Sequence, residues 1–477
     1  MMNLQITFIG HATLLIEFNQ FRILCDPHLL ETFSEGLFTY FPNRRVDLEL
    51  LFRPDVIFIS HKHRDHFDLP SLNRLDKDIP VICANDMEII YGLSCLGFKD
   101  INPMSDWEEI ELNHSRVVFT PSLYRVPEHG LLIDFGSYVV WNMVDTLVNS
   151  SIIKKLDQTL GGKSVNLLFW PYQPLIETDA PSNLPIKIPL KRFSEKVKTV
   201  QSLQPDIVIP YSDGQFGLGP ASWLNHYKFP ISYNNACSLI KSVSPRSEVI
   251  EPLPGNVLSI NSARKAAVLR CDYIESMPCS SADKNLDTTR EIASLEETLP
   301  PGHLKLTASL DALSDWIQHR WNEALQNPFL YCYLQSMLFW RVEYRIVLID
   351  NQGPITIKLA HPDLDCTESH QVKQNYTSIN YMQVVLHATV FQALIESRIH
   401  FVAALLSGLL RSSERIFLFS NGSIITPSIL REGRLEDIDE PYPLLCPISL
   451  LNNLIATQGN VEKEIIDHEL SLTLSSE

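Results

Sequence analysis

Uninterrupted apolar stretches are missing from this sequence. The most apolar late segment, residues 384–410, is broken by His387, Gln392, Glu396, Arg398 and His400, whereas a bilayer-spanning helix needs about 20 nearly continuous apolar residues. No membrane span is expected. Basic charge is also scarce: 39 Lys and Arg stand against 56 Asp and Glu, a formal net charge of −17. Binding to nucleic acid or to an anionic membrane normally shows as a basic patch, so neither is expected. A small-molecule substrate, even an anionic one, stays compatible, because a pocket can be locally positive. The nine cysteines are scattered, with no CxxC; this spacing points to reduced thiols rather than a disulfide framework. The segment from Met1 to Ile9 has neither a basic leader nor a cleavage site and reads as a strand. The expected location is cytoplasmic. Repeats and low-complexity tracts are absent as well.

What is present is a chain of 477 residues, 45% hydrophobic and 20% charged, enough for two globular domains. Short strand-like runs dominate the first 260 or so residues. Leu14 to Phe18 and Phe21 to Cys25 flank Asn19-Gln20 as a hairpin would. Asp55 to Ile59 is a β-branched run of the buried-strand type. Similar runs centre on Ile82, Val118, Leu132, Val140, Leu168 and Val208. Strands with helices between them indicate a layered α/β domain over 1–265. Polar residues and Pro300-Pro301-Gly302 mark 266–302 as a linker. A second, α+β domain is expected over 303–458, with helices at 305–325 and 383–411, and a polar tail over 459–477. Its aromatic-rich stretch, from Trp316 to Tyr344, fits a hydrophobic core better than a ligand pocket. Three roles stay open for this domain: completing an active site, binding a carrier or partner, or holding a homo-oligomer together.

The chemistry concentrates in His61-Lys62-His63-Arg64-Asp65-His66, directly behind the buried strand. Imidazole and carboxylate are the usual donors to zinc and non-haem iron. His61 and His63, two apart, point the same way in extended backbone, and Asp65 and His66 can reach a second metal position beside the first. A solvated polar loop is the bland alternative; three histidines and an aspartate in six residues argue against it. Elsewhere the bland reading weighs more. His11 serves equally as a strand-end residue or as a contact near the site. Arg44, Arg45 and Arg64 could hold an anion, but surface arginines are commoner. His387 and His400 read as packing histidines, and Asn421-Gly422 as a hairpin turn.

His-x-His-x-Asp-His resembles the signature of the metallo-β-lactamase superfamily. Gly10-His11-Ala12-Thr13, Cys25-Asp26-Pro27 and Ile59-Ser60-His61 are similar to its lactonase-like and phospholipase-like hydrolases. Gly130 to Thr146 and Leu203 to Tyr211 resemble the lactamase-like domain of the CMP-N-acetylneuraminate hydroxylase family. The likeness spans about residues 4–262. It implies a four-layer αββα sandwich, with His61, His63, Asp65, His66 and Asp145 at the metal positions and Asp145 bridging. Two positions depart from the pattern. Tyr124 stands where a histidine is usual, and Ser212 stands at the last histidine position, with Asp213 the nearest donor. A phenolate and a carboxylate there would be harder ligands, suited to iron or manganese rather than zinc.

Three functions follow as expectations. The first is a hydrolase with one or two zinc ions, in which metal-bound hydroxide attacks an ester, lactone, amide or phosphodiester and Asp65 assists as the catalytic carboxylate. The second is a non-haem iron oxygenase. It would lack a Rieske centre, because no Cys-x-His occurs and the sole Cys-x-x-His is Cys25 to His28. The third is a metal-poor scaffold that binds without turnover.

Overall fold

The computed structural model describes residues 4–33, 36–124, 126–173, 189–211, 214–227, 231–261, 263–277, 295, 305–326, 331–364, 380–396, 398–399, 404–405, 407–420 and 423–425. The chain divides into two compact units. The first comprises residues 1–175, 187–218 and 225–288, and the second the remainder.

Two sheets build the first unit. One runs in the order Ala266–Arg270, Asn256–Ile260, Leu4–Gly10, Thr13–Phe18, Phe21–Cys25, Val56–Ile59, Val81–Ala84, Ile101–Met104. The other runs Glu109–Leu112, Ser115–Pro121, His129–Asp134, Val139–Asn142, Leu167–Pro171, Ile207–Tyr211, Glu248–Val249. Alternation along each strand decides which side chain enters which layer. Leu14 and Ile16 join Phe58, Phe119, Leu131, Phe169 and Ile209 in the core between the sheets, while Leu15 and Leu24 turn outward to Leu29 and Tyr273. Trp141, Leu168, Trp170 and Val208 face away from that core and are covered by the apolar stripes of helices Ser150–Leu160, Leu190–Leu203 and Tyr233–Val243. Helix Met87–Cys95 packs on the outer side of the first sheet. The result is the expected αββα layering. Fully buried Leu, Ile and Phe side chains contribute about 1.5–3 kcal/mol each.

The boundary of this unit lies beyond the expected one. Residue 266, expected to open a linker, instead starts strand Ala266–Arg270, which pairs in full register with Asn256–Ile260. Ile274–Ser276 then pairs with Arg44–Val46. The strand is easy to miss because it lies at the sheet edge, with Val268 and Leu269 half exposed. Most of the rest of the expected linker, and the whole tail 459–477, lie outside the described residues.

The second unit has a sheet ordered Gly353–Leu359, Val342–Asp350, Asn380–His387, Leu410–Arg415, with helices Leu310–Ala324, Tyr331–Trp340 and Ala388–Ile395. The helix expected over 383–411 is therefore a correction. Residues 380–387 alternate buried and half-buried, a period of 2, and helix begins at Ala388 and runs to Ile395. Trp321, Trp340 and Tyr344 are buried, in keeping with a core. Asn421-Gly422 lies outside the described residues, between the paired strands Leu418–Ser420 and Ser423–Ile425. Among the described residues no helix is long and apolar enough to cross a membrane, and Cys25, Cys83, Cys95, Cys237 and Cys271 are free thiols.

Candidate metal centre

Strand Val56–Ile59 runs parallel to both of its neighbours, and the His-rich loop leaves its carboxyl end, where open α/β sheets place their ligand sites. Asp145 comes from the loop after Val139–Asn142, in the other sheet. His11 follows the first strand and Asp26 the third. Three of these loops turn in left-handed backbone without glycine: His11, Asp26 and Val144 have φ of 49°, 41° and 53°. Such conformations cost energy and persist where surrounding contacts over-determine them.

Six side chains converge. One nitrogen or oxygen each from His61, His66 and Asp145 lies within 4.8 Å of the others, and the same holds for His11, Asp65 and His66. His66 belongs to both groups. Its Nε2 is 3.1 Å from Asp145 Oδ2 and 3.6 Å from Asp65 Oδ2. His61 Nε2 is 2.9 Å from His63 Nδ1. His11 Nε2 is 3.0 Å from Asp65 Oδ2. His61 and His66 are buried, whereas the Asp65 and Asp145 side chains are 19% and 36% exposed, so the centre opens to solvent on its carboxylate side.

Asp26 organises the inner side. It is fully buried and accepts from Ser60 N–H at 2.7 Å, Ser60 Oγ at 2.8 Å and His66 Nδ1 at 3.1 Å. With its proton given to Asp26, the Ser60 hydroxyl can only accept from His61 Nδ1, 2.9 Å away. This bookkeeping makes Nε2 the lone-pair nitrogen aimed into the centre for His61 and, in its neutral form, for His66. That is the pattern by which outer partners orient metal-binding histidines.

The charges agree. Burial, and then the neighbouring His66 and His63, hold His61 well below the usual imidazole range. Burial opposes charge on His66 too, but Asp145 and Asp65 outweigh it and raise that imidazole. Against burial, His66 and His11 keep Asp65 ionised well below the usual carboxylate range, and His66 and His61 do the same for Asp145. Imidazoles and carboxylates assembled this way, with their outer nitrogens already engaged, fit a divalent metal.

The remaining sequence candidates separate. Tyr124 stands nearby, half-buried, with the Arg192 guanidinium 5.7 Å over its ring; burial and then Glu128 raise its phenol above the usual range. Asp213 and Ser212 lie outside the described residues. The strand leading to them does reach the centre: buried Tyr211 donates to the carbonyl of Ala12, next to His11. His129 is buried and bonded to Asp106 at 2.9 Å. Arg44 is not a substrate clamp. It is fully buried, donating from Nε to Ile9 O at 3.1 Å, from Nη1 to Leu30 O at 2.5 Å and from Nη2 to His28 O at 2.6 Å. An ideal Cβ on Gly10, whose φ is 140°, would lie 3.1 Å from that Nε. Three buried ionisable groups near the centre were not singled out from the sequence: Asp26, which holds His66, Glu128, and Lys196 on helix Leu190–Leu203. None lies in a run of donors; each acts through residues distant in sequence.

Residues 5–147 match the family model described as the beta-lactamase superfamily domain. Similar curated proteins include the inactive cytidine monophosphate-N-acetylneuraminic acid hydroxylase of Homo sapiens, 23% identical over 287 residues, covering 55% of each chain. The cytidine monophosphate-N-acetylneuraminic acid hydroxylase of Mus musculus is 22% identical over 278 residues, 55% of this chain and 48% of its own. The chain thus spans about half the length of the curated relatives it matches. Similar solved structures include a diiron beta-hydroxylase from Streptomyces venezuelae, at 19% identity, TM-score 0.38, covering 57% of this chain and 54% of that one. Another is an isothiocyanate hydrolase from Delia radicum gut bacteria, at 16% identity, TM-score 0.40, covering 53% and 98%.

Proposed function

We propose, from the match of residues 5–147 to the β-lactamase superfamily domain, that the first unit of this chain is a metal-dependent hydrolase of a small ester, lactone, amide or phosphodiester. The observation that carries this is the sharing of His66 between two donor groups, His61–His66–Asp145 and His11–Asp65–His66. His61, His63 and His66, with Asp65 and Asp145, would hold one or two ions of zinc, or of iron or manganese. A metal there supplies Lewis acidity and makes water nucleophilic at neutral pH.

The chain's own residues do the rest. Asp26 and Ser60 fix the ring orientation of His66 and His61. Asp65, partly exposed and steadied by His11, is placed to orient the nucleophile and take its proton. The half-exposed Asp145 marks the face from which a substrate enters.

A second reading, a non-haem iron oxygenase, draws on one specific observation. Besides its imidazole neighbours, Asp145 acts electrostatically on Tyr124 and Glu128, which carry oxygen rather than a further imidazole. Sequence similarity to the hydroxylases supports the same reading. Elemental analysis of protein purified without added metal or chelator separates the two, followed by turnover of ester, lactone and phosphodiester panels. Zinc with hydrolysis supports the first reading, and iron without hydrolysis the second. Failure to bind any metal after reconstitution would overturn both and leave a binding scaffold.

A further inference from the structure

Behind the metal centre lies a second group of polar side chains that the donor set does not use. His28 and Tyr40 are fully buried, and the His11 side chain is 3% exposed. Their rings touch in sequence. Tyr40 stacks on His11 with 5.2 Å between centroids and meets His28 edge-on at 4.5 Å, while His11 lies 5.1 Å from His66. Four polar atoms of this cluster have no hydrogen-bond partner among the described residues: Nδ1 of His11, the Tyr40 hydroxyl, and both ring nitrogens of His28. Buried polar atoms are normally paired, and leaving one unpaired is costly. Four in one cluster call for an occupant.

The His28 ring is not free to turn away in search of partners. The main chain of His28 is held on both sides, its N–H donating to Thr13 Oγ1 at 3.0 Å and its carbonyl accepting from Arg44 Nη2 at 2.6 Å. Its ring is wedged between Tyr40 and Phe33, the latter at 5.1 Å. The Arg44 guanidinium lies 4.9 Å over the Tyr40 ring, but its fork is spent on main-chain carbonyls. At one end of the cluster, Asp68 Oδ1 is 3.6 Å from His28 Nε2. That is too long for a direct hydrogen bond and short enough for one water to reach both atoms. The other Asp68 oxygen accepts from Ser71 N–H at 2.9 Å. At the other end, His11 Nε2 meets Asp65 Oδ2 at 3.0 Å.

The chemistry of these atoms selects the occupant. Burial, and then Arg44, hold His28 well below the usual imidazole range, so its neutral ring offers one donor and one acceptor. The Tyr40 hydroxyl also offers both. A bound cation is opposed by Arg44 beside the cluster, and a bound anion by the carboxyls of Asp65 and Asp68. Water donates and accepts, and when buried it makes about three hydrogen bonds.

We propose that ordered water occupies this pocket and bonds Asp68, His28 and Tyr40 to Nδ1 of His11, so that an internal hydrated chain runs from Asp68 to Asp65. The inference needs no metal and stands apart from the hydrolase reading.

The test uses the full chain after chelator treatment. Long-lived internal waters are counted by oxygen-17 magnetic relaxation dispersion, and stability is read as the urea midpoint, for the wild type, His28→Leu, His28→Gln and Tyr40→Phe. Circular dichroism establishes that each is folded. His28→Leu fills the site with an apolar side chain and should lose the dispersion of at least one water. His28→Gln, which keeps a donor and an acceptor, should stay closer to the wild type in both readings. Tyr40→Phe decides by sign. In a hydrated pocket it removes a made hydrogen bond and lowers the midpoint, whereas in a dry pocket it removes an unpaired hydroxyl and leaves the midpoint equal or higher. Wild-type dispersion in His28→Leu, or a Tyr40→Phe midpoint at or above that of the wild type, overturns the proposal. Should His28→Leu fail to fold, the Tyr40→Phe midpoint alone decides.

Discussion

Replacing Asp26 by Asn changes one atom's chemistry at almost no change in volume, and it should disturb two histidines at once. The Asn carbonyl can still accept from Ser60 N–H. Its amide nitrogen would take the place of Oδ2, which now accepts from Ser60 Oγ and His66 Nδ1. Two charge-assisted hydrogen bonds are lost, each worth about 1.5–3 kcal/mol, and the new N–H recovers part by donating to Ser60 Oγ. The net destabilisation of the metal-free protein is about 2–4 kcal/mol, a fall in melting temperature of roughly 4–16 °C for a domain of this size. The second consequence is specific to the site. With an amide donor facing it, His66 does best with its proton on Nε2, and the Ser60 hydroxyl, released from Asp26, can donate to His61 Nδ1 and move that proton to Nε2 as well. His61 must then shed an Nε2 proton that the wild type carries on Nδ1, and His66 loses the carboxylate that holds its Nδ1 proton, so affinity should fall by about 10–100-fold. Thermal melts of chelator-treated protein measure the first effect, and metal titration by calorimetry the second. A variant destabilised as calculated but binding metal with wild-type affinity would refute the proton bookkeeping.

Further expectations follow from the same contacts. His61→Ala combined with His63→Ala should abolish metal retention while circular dichroism stays that of the folded chain; unchanged metal content would remove these residues from the centre. The Glu128 carboxyl is raised by burial, and then by Asp145, to about 8 from an ordinary 4.5. The unfolded chain therefore releases this proton first, and the group's contribution, present below pH 4.5, is lost as pH rises toward 8. Urea midpoints of metal-free protein between pH 5 and 8.5 should fall less steeply for Glu128→Gln than for the wild type, and parallel slopes would contradict this. A Cβ at Gly130 would lie 2.6 Å from Thr120 Oγ1 and 3.0 Å from the Asn142 carbonyl. Gly130→Ala should therefore cost about 1–3 kcal/mol by overpacking and break the Trp141 Nε1 bond to Thr120 Oγ1, seen as a lower urea midpoint with altered tryptophan fluorescence.

The layered fold of the first unit was legible because its strands are short β-branched runs ending in turn residues, and because Ile57 to Ile59 lead straight into the donors. His61, His63, Asp65 and His66 were legible because one loop carries them all. Asp145 needed the family pattern, since nothing in Met143-Val144-Asp145 singles out that aspartate. Asp26 and Glu128 were hidden, and His11 stayed open between a strand-end residue and a site contact, because their interactions run across 17 to 62 residues of sequence, such as the 54 from His11 to Asp65. Arg44 was misread because arginine is usually a surface residue, and only the fold reveals that its fork is spent on three main-chain carbonyls. The 383–411 segment was misread because an apolar run masks the change of period at Ala388.

The Gly10–Arg44 contact has a bearing on how this site can change over time. The guanidinium occupies the space that any side chain at position 10 would need, and it ties the turn before His11 to the loop at His28 and Leu30. Neither position can drift alone. A larger residue at 10 evicts the arginine, and a shorter residue at 44 strands three buried carbonyls and leaves a hole under the turn. A double-mutant cycle should therefore find the two substitutions strongly non-additive. Any lineage that reshapes the approach to His11 has to cross a poorly folding intermediate or alter both codons together.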